Sequence, residues 1–167
     1  MYYSVTFGGE RNTWDDWHLI PSTPPMISPP EPVTNLVDIP GRPAGPIDLT
    51  LFPFSRLQYK RITGTWTFVR DTTYKEMRTD MYEEIRRYLH GRVMSVSLEE
   101  DAAHYFRGRF VVSVPQNSAG PTSITIGYDL EPARYNMSDH SVDTSWVDVD
   151  GTGTTDPTVV RAKGLYF

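Results

Sequence analysis

Most of the chain's 14 prolines crowd into one stretch: Pro21, Pro24, Pro25, Pro29, Pro30, Pro32, Pro40, Pro43, Pro46 and Pro53. Proline has no backbone N–H and breaks helix interiors, so residues 19–60 are neither a helix nor the middle of a sheet. Yet Met26, Ile27, Val33, Leu36, Val37, Ile39, Ile47, Leu49, Leu51, Phe52 and Phe54 run through the same stretch. A disordered linker is poor in such residues. The expectation is an extended, stiff, apolar arm that lies on a surface, either its own domain or a neighbouring subunit. Just before it stands WDDWH, in which Trp14 and Trp17 bracket two aspartates. Two tryptophans three apart suit a stacking platform for a sugar, or an anchor that buries a large area. The prolines next in the chain favour the anchor.

Outside this stretch the pattern alternates between strand and helix signals. Tyr2–Phe7 is aromatic and β-branched and stops at Gly8-Gly9, a strand and turn. GTWTFV (residues 64–69) reads as a strand. Thr73–Glu76 has the form of a capping box, and Met77, Met81, Ile85, Tyr88 and Leu89 recur at helical spacing up to Gly91, a left-handed stop. The period then becomes two in residues 93–98, 110–114 and 123–130, with Met94/Val96/Leu98, Phe110/Val112/Val114 and Ile124/Ile126/Tyr128/Leu130 on one side. Residues 99–109 and 115–122 read as links. Strands in series behind one helix predict a mainly β fold, largely antiparallel, with the helix laid across it. From Asn136 the chain is polar and thinly patterned, with one last strand expected at 158–167.

A length of 167 residues suits one domain with an extension, and the absence of cysteine excludes disulfides and thiolate chemistry. A net charge of -5 argues against sequence-reading nucleic-acid binding. No apolar run reaches the roughly 18 residues of a membrane span, and the N-terminus has no signal-peptide pattern, so synthesis in a cytoplasm without membrane insertion is expected.

Catalytic signals are thin. Asp139-His140-Ser141 contains triad letters, but adjacent loop residues rarely orient as a triad. Asp15, Asp16 and His18, and Glu99, Glu100, Asp101 and His104, offer metal-binding atoms without a recognised ligand spacing, so polar turns are the better reading. GxGxxG, Walker and GxSxG motifs are absent. Tyr105-Phe106 followed by Arg107-Gly108-Arg109 would suit base stacking on a basic rim, or a strand whose arginines pair Glu99, Glu100 or Asp101 across a hairpin. No catalytic residue, metal or cofactor is expected, and the chain reads as a non-enzyme.

Several segments occur together in a telling order: NTWDDWHL, the proline-rich run, VDIPG, DLT, GTWTFV, a helix ending YLHG, LEEDAAHYFRGRF and YDLEP. Over residues 5–135 this order resembles the distal tail proteins (Dit) of long-tailed, non-contractile bacteriophages. The resemblance implies a tail-tube-like antiparallel β-sandwich over 1–135, with a flanking helix and a belt arm at about 33–60. It implies a homohexameric ring in the virion, at the distal end of the tail. The ring would join the tail tube protein to the tip or baseplate hub protein, contact the tape-measure protein, and leave a channel through which DNA passes. On that reading Ile39, Leu49, Phe52, Phe54, Arg56 and Tyr59 are belt contacts, and Trp14 and Trp17 anchor the arm. Residues 136–167 have no counterpart in the resemblance and form an extension. Relatives often add a lectin-like domain for which this length leaves no room, so carbohydrate binding is not carried over. A tail tube subunit and a carbohydrate-binding module using Trp14, Trp17 and Tyr105 stand as alternatives.

Overall fold

The computed structural model describes residues 2–49, 58–72, 74–116 and 121–147. Contacts divide the chain into two compact units, residues 1–28 with 61–143, and residues 29–60 with 144–167.

The first unit has the expected mainly β, antiparallel architecture with one flanking helix. Its strands are β1 (Val5–Phe7), β2 (Arg11–Asn12), β3 (Ile20–Pro21), β6 (Ile62–Arg70), β7 (Val93–Leu98), β8 (Asp101–Val112), β9 (Thr122–Leu130) and β10 (Tyr135–Asn136). They run in the order β2-β1-β7-β8-β9-β6-β3, with β10 on β8. Period-two alternation puts Ile62, Trp66 and Phe68 of β6, Phe106, Phe110 and Val112 of β8, and Ile124, Ile126 and Leu130 of β9 into one core. The opposite face of the sheet carries Thr63, Thr65, Arg107, Arg109, Val111 and Asp129 and lies open.

Helix α1 covers the core face. It opens with an α-helical turn (Tyr74–Glu76), is wound as a π-helix over Met77–Tyr82, and closes as α-helix over Glu83–Leu89. Met77, Met81, Ile85 and Leu89 are all buried. Residues four apart advance about 40° around an α-helix of 3.6 residues per turn, so a strict four-residue stripe drifts off its partner surface. The wider π-wound stretch turns less per residue and offsets that drift. Thr73, half of the expected capping box, lies outside the described residues; the Thr72 hydroxyl donates to the Glu76 carboxylate at 2.6 Å.

The helix exit differs in detail from a glycine cap. Gly91 has the expected positive φ of 74°. Its N–H, however, donates to the carbonyl of Phe110 at 2.8 Å rather than back into the helix. The ring nitrogen Nδ1 of His90 accepts from the N–H of Val112 at 3.1 Å. The helix end is therefore tied directly to β8.

Two expectations need correction. Residues 99–109, read as a link, are mostly strand: β8 begins at Asp101. Between Val96 and Leu98 the pairing partner jumps from Phe106 to Asp101, so Ala102–Tyr105 swing away from β7. Tyr105 and His104 pair instead with Tyr135 and Asn136 of β10. Val114, expected on the buried side, lies beyond the end of β8 and is 57% exposed.

In the second unit the proline-rich stretch folds on itself. β4 (Leu36–Val37) and β5 (Ile47–Asp48) form an antiparallel hairpin with Leu36 opposite Asp48 and Val37 opposite Ile47. Pro32 faces Tyr59 without offering an N–H; the neighbouring N–H groups of Val33 and Lys60 donate to Gln58 and Glu31 at 2.7 and 2.8 Å. Residues 158–167 lie outside the described residues.

Candidate functional site

Catalytic geometry does not assemble from Asp139, His140 and Ser141. The Ser141 hydroxyl donates to Asp139 at 2.7 Å, and the Ser141 N–H donates to the same oxygen at 3.1 Å. These two bonds hold the Asp139 carboxyl below its usual range. His140 turns away from both, with its Nδ1 3.1 Å from the Tyr105 hydroxyl. The three residues are a turn, with His140 at a positive φ of 60°.

The two acidic groups also have ordinary partners. Asp16 accepts from the N–H of Asn12 at 2.7 Å, and His18 stands edge-on to Trp14. Glu99 accepts from the N–H of Ser4 at 2.8 Å and from its hydroxyl at 3.2 Å. Among the described residues no group of three or more His, Asp or Glu side chains is arranged to hold a metal ion.

Asp101 and His104 do meet, at 2.7 Å, but inside a charge network that sequence reading missed. Arg134 donates to Asp143 through Nε at 2.8 Å and again through its terminal nitrogen, and reaches Asp101 at 3.3 Å. His104 Nε2 lies 3.4 Å from the nearly buried Asp143. The network fastens the turn after β10 to β8, together with the N–H of Met137 donating to Ala103 at 2.8 Å. Tyr105 and Tyr135 stack beside it at 5.3 Å. Donation to the Glu131 carboxylate at 2.7 Å, with burial, pushes the Tyr135 phenol above its ordinary value.

Arg107 and Arg109 do not face Glu99, Glu100 or Asp101 as expected. The register sets them opposite Ser95 and Val93, because Glu99 and Glu100 occupy the tight turn between β7 and β8. Both arginines are exposed on the open sheet face. There Arg107 helps to line a cleft of about 470 Å³ with Gly8, Gly9, Val93, Ser95, Tyr105, Met137 and His140.

The tryptophans do not form a platform. Trp17 is fully buried, tilted against Phe7 at 6.3 Å and edge-on to Tyr88 at 6.1 Å. Trp14 is half-buried, its face taken by Tyr2 stacked at 3.9 Å. The chain leaving them is tied along β6: Ser22 donates its N–H to Thr67 at 2.9 Å, and Trp66 Nε1 reaches the carbonyl of Met26 at 3.4 Å.

Of the belt residues, Ile39 is exposed next to the hairpin strand β4, and Leu49 and Tyr59 are half-buried in the second unit. Phe52, Phe54 and Arg56 lie outside the described residues. Leu36, Val37 and Ile39 on this hairpin are 59%, 40% and 42% exposed, with exposed Asp38 among them. Among the described residues no helix is long and apolar enough to cross a membrane.

No protein-family model matches the chain. No curated protein matches it either. Among solved structures it is similar to the SPP1 Dit protein (gp 19.1), a paradigm of hub adsorption apparatus in phages that infect Gram-positive bacteria. The likeness has a TM-score of 0.60 at 12% identity over 81% of the chain. The chain spans 53% of that protein's length. At this identity the comparison shows a shared Dit-like fold.

Proposed function

We propose that the chain is a structural subunit of a phage tail, a distal tail or hub protein that forms a ring. The observation that carries this reading is the fold likeness to a hub protein along most of the chain. Six copies close into a homohexamer through heterologous contacts, in which one surface of each subunit meets a different surface of the next. The ring joins the tail tube protein on one side to the tip or baseplate protein on the other and leaves a channel for DNA. It serves by assembly rather than by catalysis.

One feature supports this reading independently of the likeness. The hairpin of the second unit presents three large apolar side chains to water, and a closed ring covers such a surface. In the ring, residues 33–60 are the belt that reaches the neighbour, and Trp14 and Trp17 anchor the start of the arm. Prolines lower the entropy lost when the arm docks.

Electron microscopy of the purified protein mixed with isolated tail tubes tests the proposal. The expected result is a ring capping one end of each tube. Incorporation along the tube wall would instead identify a tube subunit, and no association with tubes would overturn the tail assignment.

A further inference from the structure

The cleft on the open sheet face and the hairpin of the second unit have complementary chemistry. The cleft offers cationic Arg107, the imidazole of His140, the hydroxyls of Ser95 and Ser97, and apolar Val93 and Met137, which are 50% and 42% exposed. Among the described residues Arg107 makes no ion pair. An occupant that suits it brings a carboxylate flanked by branched apolar side chains.

The segment Leu36–Ile39 has that composition. Leu36, Val37 and Ile39 are exposed on either side of Asp38, and among the described residues Asp38 also has no ion-pair partner. The hairpin registers Leu36↔Asp48 and Val37↔Ile47 hold the first two residues of this segment in a strand. Just beyond it, the N–H of Arg42 donates to the carbonyl of Ile39, and the N–H of Gly45 to that of Arg42, which stiffens the hairpin loop. Little order therefore remains to be gained on docking. An isolated cation in one surface and an isolated anion in another, each among apolar groups, gain when they meet and exclude water.

The geometry points to the Arg107 cleft of one copy as the receptor for the Leu36–Ile39 segment of the next, with Asp38 paired to Arg107. This rests on the ring reading and names the contact that closes the ring. Met137 and Val93 cover the apolar side chains, and Ser95 and Ser97 satisfy polar groups at the rim. A heterologous contact of this kind, repeated head to tail, is the kind that closes rings.

Charge exchange tests it on the full chain. Asp38→Lys and Arg107→Glu both change exposed side chains, and thermal melting confirms that each variant folds. Light scattering behind a sizing column follows assembly across a concentration series. Each single variant is expected to assemble at least about tenfold more weakly than the parent chain. An equimolar mixture of the two is expected to assemble again, because its alternating contacts are Asp38 with Arg107 and Lys with Glu. Recovery on mixing arises only if the pair forms between copies. Parent-like assembly of both single variants, or a mixture that stays dissociated, would overturn the contact while leaving the ring standing. A parent chain that is monomeric throughout would remove the contact and the ring together.

Discussion

The ring of Tyr128 on β9 lies over Gly64, its partner on β6: a Cβ on Gly64 would sit 2.6 Å from the ring carbon Cζ. Trp66 flanks the same ring at 4.4 Å. Glycine at 64 therefore leaves the space that the aromatic fills, and burial pushes the Tyr128 phenol up. Gly64→Ala is expected to cost about 1–3 kcal/mol by overpacking, read from urea unfolding. Gly64→Ala with Tyr128→Leu should recover part of that loss; an unaffected single variant would show that the ring moves aside freely.

Among the described residues Trp17 is the largest fully buried side chain, whereas Trp14 is half-buried. Trp17→Ala should cost about 3–5 kcal/mol, and Trp14→Ala clearly less, by chemical denaturation. Equal losses would contradict the different burial of the pair.

Gly91 has open space around its Cα, so any penalty there is conformational. Gly91→Ala is expected to cost about 1–2 kcal/mol, because a Cβ is unfavourable at positive φ. A melting temperature that does not move would argue against the left-handed conformation.

Asp143 holds Arg134 against β8 from a nearly buried position. Asp143→Ala removes two charge-assisted hydrogen bonds of the Arg134 guanidinium and should cost about 1–3 kcal/mol. Loss of protection in amide exchange should concentrate in β10 and the turn after it. A uniform loss across the sheet would show that the network supports the whole unit instead.

Tyr88, Tyr128 and Tyr135 all have phenols raised above their ordinary value, Tyr88 and Tyr128 by burial first and Tyr135 by donation to Glu131 first. Each folded-state value lies above the unfolded one. Their contribution is therefore complete below the unfolded tyrosine value of about 10 and is lost as pH rises through the folded values. The melting temperature should fall above about pH 10, and less steeply in Tyr88→Phe. A flat alkaline profile would contradict the shifts.

Local periodicity carried the elements that bury one face. The four-residue stripe from Met77 to Leu89 marked the helix, and alternation marked the cores of β6, β7 and β9. It failed where pairing depends on distant residues. Ala102–Tyr105 have no apolar alternation because their partner, β10, lies about thirty residues away and leaves them half-solvated. The same distance hid the joining of Asp101 and His104 to Arg134 and Asp143. Prolines signalled a stiff, extended stretch but not its hairpin, whose ladder falls in the proline-free pairs Leu36–Asp48 and Val37–Ile47. The Arg107 cleft was invisible for a further reason: its lining comes from four separate segments.

Ring formation is the central claim, and the mass of the purified parent chain in solution tests it most directly. Light scattering behind a sizing column is expected to give a discrete species of six subunits, stable across a range of concentrations. A chain that remains monomeric at every concentration would contradict it.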